Sequence, residues 1–140
     1  MWAISVQQPF AWAIVHGGKN IENRTWLPKQ LKIGDRLAII ASKSWYPVYE
    51  YGREVRWQKI DSDFRLRGVV MPKKSDFLLG GLIGTVIFQG ARDKHLENVW
   101  AMNGQYHWLL SDPLPLPFCP VRGQLGIYQI DLGEHHEPMA

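Results

Sequence analysis

The 140-residue sequence contains a single cysteine, Cys119. A lone thiol excludes an intrachain disulfide and makes a reducing compartment the simpler assumption, so the cytoplasm is the expected location. Long apolar runs are also missing. No stretch approaches the roughly 20 apolar residues that a spanning helix needs, and no membrane association is expected. The opening "MWAISVQQPFAWAIVHGG" is apolar but has no basic leader, and glutamines and a proline interrupt it where a secretory segment would be continuous, so it reads as part of the fold. There is no phosphate-binding glycine loop, no dinucleotide fingerprint and no serine elbow. His16, His95 and His107 have no metal-ligand spacing with Cys119, and His135 and His136 fall in the tail, so neither a metal nor a cofactor is expected.

What is present is a length suited to one core, with residues 1–132 expected as a single domain and 133–140, "GEHHEPMA", as a frayed tail. The formal charge of +3 tilts the odds towards a polyanionic partner. Seven tryptophans and five tyrosines accompany those charges. Flat rings beside lysine or arginine can stack on bases while the cations meet phosphates, although rings on strands more commonly form core.

Along the chain, "WAISV" reads as a first strand, and Pro9 marks the start of a helix of about two turns that Gly17 and Gly18 end through left-handed backbone. "NIENRTW" reads as a second strand. Arg36 to Ala41 is a third, apolar enough to be buried on both faces. Spacings of three and four among Trp45, Val48, Tyr51 and Val55 predict a helix from Pro47 to about Ile60. Residues 61–80 read as a long loop with at most one helical turn. "LIGTVIFQGA" is a strand in which Gly84 marks a bulge or a close backbone approach. "ARDKHLENVWA" suggests a short helix, "QYHWLL" an alternating strand, and the prolines of "SDPLPLPFCPVRG" an unpaired surface connection. "QLGIYQIDL" closes the set. Five or six short strands with inserted helices indicate an α+β protein on a mixed, barrel-like sheet.

The charges concentrate in "HGGKNIENRTW". Strand alternation points Glu22, Arg24 and Trp26 to one face, whereas Lys19 breaks that parity and must project from the glycine turn. Lys19 suits a phosphate or a developing oxyanion as a point charge. Arg24 can grip a phosphate or base edge with its planar fork, and Glu22 can accept from an exocyclic amine or hold Lys19 in place. Gln8 and Pro9 open a helix whose first amides form an anion site if the cleft lies there. Ser42 and Lys43 emerge where a barrel would open, and Trp26, Tyr106 and Trp108 are candidate stacking surfaces.

These residues carry a resemblance. Gln8 and Pro9 followed by Gly17, Lys19, Glu22 and Arg24 match the Gln-Pro and G-x-K-x-x-E-x-R signature of the ASCH (activating signal cointegrator homology) domain, and "AIIASK", "GGLIGTVIF", "YHWLL" and "PVRGQLGIYQI" resemble later segments of that family in order. The resemblance implies a PUA-like mixed β-barrel of five to six strands with two or three peripheral helices, and a cleft that handles RNA or modified nucleosides, with DNA as a further polyanion. Some members are ribonucleases, and some small bacterial members hydrolyse N4-acetylcytidine with the motif lysine, a threonine three residues later and a more distant glutamate. The lysine matches Lys19, the threonine position holds Glu22, and Glu97 is the candidate for the later acid. Three functions follow as expectations. The first is RNA or nucleotide binding around Lys19, Glu22 and Arg24. The second is a hydrolase of N4-acylated cytidine or a ribonuclease in which Lys19 and Glu22 are catalytic. The third is a module docking on a protein partner, of unspecified identity, through its tryptophan-rich surface and the 61–80 loop.

Overall fold

The computed structural model describes residues 1–46, 49–50, 53–54 and 57–131. In chain order these form β1 (Trp2–Gln8), α1 (Phe10–His16), β2 (Ile21–Arg24), β3 (Arg36–Trp45), β4 (Tyr49–Glu50), β5 (Arg53–Glu54), α2 (Trp57–Leu66), a 3-10 turn (Lys74–Asp76), β6 (Gly81–Arg92), β7 (Tyr106–Pro120) and β8 (Ile127–Gln129). Strands β4 and β5 pair only with each other, and the remaining six make one sheet in the order β2-β7-β6-β3-β1-β8. β1 and β3 are parallel and every other pairing in that sheet is antiparallel. No described helix is long and apolar enough to cross a membrane.

The architecture is α+β, as expected, but the hydrogen-bonded ladder ends at β2 and β8 and does not close into a barrel. A side chain reaches across the gap instead: Arg24 on the end strand β2 donates from Nη2 to the Ser5 carbonyl of β1, the strand next to the other end, at 2.9 Å. This places the motif strand against the first strand and sets the mouth of the site.

Burial on both faces is explicit in β3. Leu37, Ile39 and Ala41 join the main core with Ile4, Val6, Ile14, Phe88 and Trp108, while Ala38 and Ile40 join a second cluster with Ala3, Leu82, Cys119 and Tyr128 on the opposite face. Seven residues are too few for a helix to persist alone, so α1 depends on packing Ala11, Ala13, Ile14 and Val15 against the sheet. Gly84 shows both features expected of it. The β6–β7 register shifts between Leu82 and Gly84, and a Cβ there would lie 2.7 Å from the Leu114 carbonyl oxygen.

Three expectations are corrected. The helix from Pro47 to Ile60 is displaced: Trp45 ends β3 opposite Gln8, and the helix is Trp57–Leu66, reaching into the segment expected to be loop. Its packing positions are Trp57, Ile60 and Phe64, a stripe that the charges of "DSDFRLR" dilute in the sequence. Pro47, Val48, Tyr51 and Val55 lie outside the described residues. "ARDKHLENVWA" forms no helix, because Asn98 Oδ1 takes the Trp100 N–H at 2.8 Å in a local turn. Finally, the proline-rich run is not an unpaired connection but the second half of β7, paired with β6 as far as Pro120. Pro113, Pro115 and Pro117 fall on alternate residues, so their missing N–H groups share one side of the strand. β2 pairs only with Tyr106 to Leu109, which leaves that side an edge where no donor is required.

Candidate functional site

The turn after α1 decides where Lys19 goes. At Gly17 a Cβ would meet the Ala13 Cα and the Trp12 ring at 3.0 Å, and Gly18 has φ +75°, a conformation that favours glycine. Of the two glycines only Gly18 is left-handed; Gly17 is required by close packing. The chain then folds back, the Lys19 N–H bonds to the Ala13 carbonyl at 3.0 Å, and the lysine side chain is buried to 4% exposure. Its ammonium donates to the Ile21 carbonyl and to Glu22 Oε1 at 3.3 Å, with the Phe10 ring centroid 5.6 Å away.

Glu22 is the centre of this arrangement. Its residue exposure is 7%, and its second oxygen, Oε2, accepts from Arg24 Nε at 2.9 Å and forms an ion pair with Nη2 at 2.8 Å. Alternation along β2 does bring Glu22 and Arg24 to one face. The result is a cation–carboxylate–cation chain with a net positive charge. Burial lowers the Lys19 pKa from its usual 10.5; Glu22 opposes that shift, and Arg24 and Arg67 add to it.

The chain lines a pocket of about 220 Å³, together with Phe10, Tyr46, Val6, Gln7, Asn23 and Met102. Phe10 and Tyr46 meet edge to face with centroids 4.8 Å apart, which gives the pocket an aromatic wall. Gln7 and Arg24 also line an adjoining open cleft of about 920 Å³, whose other walls include Ser5, Ser42, Lys43, Ser44 and Arg122.

The structure therefore brings Lys19, Glu22 and Arg24 together and places Lys43 and Ser42 next door. Gln8 is elsewhere. Its Oε1 accepts the Trp12 N–H at 2.8 Å, capping α1, and its amide donates to the Leu78 carbonyl at 3.0 Å. Trp108 is fully buried in the main core, and Tyr106, opposite Arg24 in the β2–β7 register, packs on that core. Trp26 lies edge to face on Trp108 at 5.0 Å and lines a further groove that shares Arg24 with the pocket and the cleft. Glu97 is exposed and does not line the pocket. His107 is buried and donates from Nδ1 to Asn23 Oδ1 at 2.8 Å, a structural role.

Sequence reasoning passed over Gln7, Phe10, Tyr46 and Arg122. For Gln7 a signal existed, since adjacent glutamines in a strand face opposite ways and only one of the pair can point into the helix-capping position. Tyr46 is placed by its N–H bond to the Gln8 carbonyl at 2.8 Å, an interaction between distant segments with no local signature.

Solved structures of the ASCH protein from Zymomonas mobilis are similar in fold. One shares 16% identity at a TM-score of 0.55, covering 95% of this chain and 89% of that one. Two single-residue variants of the same protein give 14% identity with a TM-score of 0.55, covering 93% and 89%, and 16% with 0.54, covering 93% and 87%. No curated protein sequence matches significantly. The ASCH domain model matches residues 4–106, a span that begins in β1, contains the whole Lys19–Glu22–Arg24 chain and ends at β7, and the chain belongs to the ASCH domain family.

Proposed function

We propose that this ASCH domain binds RNA or a nucleotide, receiving a base in the pocket built around Lys19, Glu22 and Arg24. The observation that carries this reading is the buried charge chain lining that pocket. A buried ion pair is a weak device for stability, because its desolvation cost rivals its attraction, whereas lining a cavity it supplies oriented donors and acceptors. The pocket volume, about 220 Å³, falls below the roughly 300–1,000 Å³ of sites for drug-sized ligands and suits one base rather than a whole nucleotide. Phe10 and Tyr46 offer ring surfaces for stacking, and family membership favours nucleic-acid handling. The finer reading of the sheet as a PUA-like barrel draws support from the Arg24–Ser5 bridge, which joins the end strand β2 to β1, next to the opposite end.

The test is a titration of a labelled single-stranded RNA against wild type, Arg24→Ala and Tyr46→Ala. A loss of tenfold or more in both variants is expected. Wild-type affinity in both would overturn the reading.

A second reading, hydrolysis of N4-acylated cytidine, is favoured by one observation: burial depresses the proton affinity of Lys19, which brings its amine closer to serving as a base. Both oxygens of Glu22 are engaged by the neighbouring cations, so here the carboxylate would orient Lys19 instead of relaying a proton. Release of cytidine by purified protein, abolished in Lys19→Arg, is the expected result for an enzyme; no turnover would leave the binding reading alone.

A further inference from the structure

We propose that the ligand is a single-stranded nucleic-acid chain rather than a free nucleoside, its phosphodiester backbone held in the larger cleft by Lys43 and Arg122. This rests on the base-binding reading of the small pocket and extends it. The pocket does not end at its own walls: Gln7 and Arg24 line both it and the cleft, so a base held inside has its sugar and phosphates directed into the larger space.

Among the described residues, the charged ones lining that cleft are Arg24, Lys43 and Arg122, and none is a carboxylate. Several other cations among the described residues are engaged. Lys19 and Arg24 share Glu22, Arg65 holds Asp61, Arg36 donates to Thr85, and Arg67 donates to the Val99 carbonyl. Lys43 and Arg122, by contrast, are exposed and face a concavity without a counter-charge. Lys43 and Arg122, beside the Arg24 end of a charge chain that is itself net positive, create a positive potential that phosphate relieves.

The backbone holds this arrangement open. The Lys43 stem lies along Gly80, where a Cβ would come within 3.2 Å of its Cγ, and Gly80 itself has φ +79°. Arg122 leads into Gly123, which packs against β1 so closely that a Cβ would lie 3.3 Å from Ser5 Oγ. The same cleft is lined by linked neutral polar groups: Gln7 Nε2 donates to Ser44 Oγ at 3.0 Å, and Ser42 Oγ lies 3.1 Å from Ser44 Oγ. Such groups suit sugar hydroxyls and phosphate oxygens. A duplex would keep its base out of the small pocket, so the strand must be unpaired where it enters.

The experiment measures binding of cytidine and of a ten-nucleotide single-stranded RNA to wild type, Tyr46→Ala and a Lys43→Ala/Arg122→Ala variant, each across a range of salt. Both altered cleft residues are exposed, and a thermal melt checks that the variant folds. The RNA should bind at least tenfold tighter than cytidine. The double variant should lose that advantage and flatten the logarithmic salt slope by about 1.4, two contacts at roughly 0.7 each, while cytidine affinity stays unchanged. Unchanged RNA affinity and salt slope in the double variant would overturn the proposal. RNA binding no tighter than cytidine would overturn it too, and would leave the pocket reading standing. RNA binding that depends on Lys43 and Arg122 but is indifferent to Tyr46→Ala would support the backbone track and overturn the pocket reading instead.

Discussion

The small pocket and the large cleft share Arg24 yet handle charge in opposite ways. In the pocket each ionised group is matched: Lys19 and Arg24 flank Glu22, and the carboxylate has a cation on each oxygen. In the cleft Lys43 and Arg122 face solvent with no acid among the described lining residues. The difference follows from water. A charge removed from solvent needs an internal partner for the fold to exist at all, whereas an exposed charge is already solvated and can be left for a ligand. Perturbing the pocket should therefore damage folding first, and perturbing the cleft should damage binding alone.

The sharpest way to break this comparison is Glu22→Gln. It leaves two cations around a neutral amide, with Lys19 only 4% exposed, and removing one partner of a buried pair costs about 3–5 kcal/mol. Urea denaturation should show a loss of that size. Adding Lys19→Met to the same chain removes the uncompensated charge and should recover part of it. A Glu22→Gln protein as stable as wild type would mean that the pocket is wetter than its geometry indicates.

Arg24→Ala should cost less, roughly 1–2 kcal/mol. The Arg24 side chain is 27% exposed and so partly solvated already, but its guanidinium makes charge-assisted bonds to Glu22 and to the Ser5 carbonyl that also tie β2 to β1. Because Lys19 still neutralises Glu22, no buried charge is orphaned. A loss as large as that of Glu22→Gln would put the centre of the network at Arg24 instead.

The sequence made the pocket's charged side legible because that side is local. Pro9, Gly18 and the alternation of β2 are read within 20 consecutive residues, and they are enough to bring Lys19 to Glu22 and Arg24. The aromatic wall was not legible in the same way. Tyr46 reaches the pocket only because β3 runs parallel to β1 past Gln8, and the expected helix from Pro47 hid that extension. Arg122 was missed for a related reason: it arrives from a loop about 100 residues beyond the motif, after a proline run whose spacing preserves the strand pairing that proline usually prevents. Trp108 was misjudged as a surface candidate since alternation gives a side chain's face but not what covers that face. Local chemistry was readable, and the meeting of distant segments was not.

A pH series sharpens the comparison further. Folding lowers the Lys19 pKa below 10.5, chiefly through burial. Between that depressed value and 10.5 the unfolded chain binds the proton more tightly, so this residue's contribution to stability rises with pH across the window, at up to about 1.4 kcal/mol per unit. The gap between wild type and Lys19→Met should therefore move in favour of wild type as pH is raised from 7 towards 10. A gap that stays constant would show that Glu22 offsets the burial of Lys19 completely.

The smallest effect belongs to the cleft. Lys43→Ala and Arg122→Ala should each change stability by less than about 0.5 kcal/mol, because neither residue has a charged partner among the described residues and exposed substitutions of this kind are near neutral. The sign is informative. Three cations face the same space, so removing one relieves repulsion, and at low ionic strength the variants should melt at or slightly above the wild-type temperature. Salt screens exposed charges within about 10 Å at 0.1 M, so adding it should raise the wild-type melting point slightly more than that of either variant and close the difference. A variant that melts well below wild type would mean that its cation has an internal partner, and the contrast between a paired pocket and an unpaired cleft would fail at that residue.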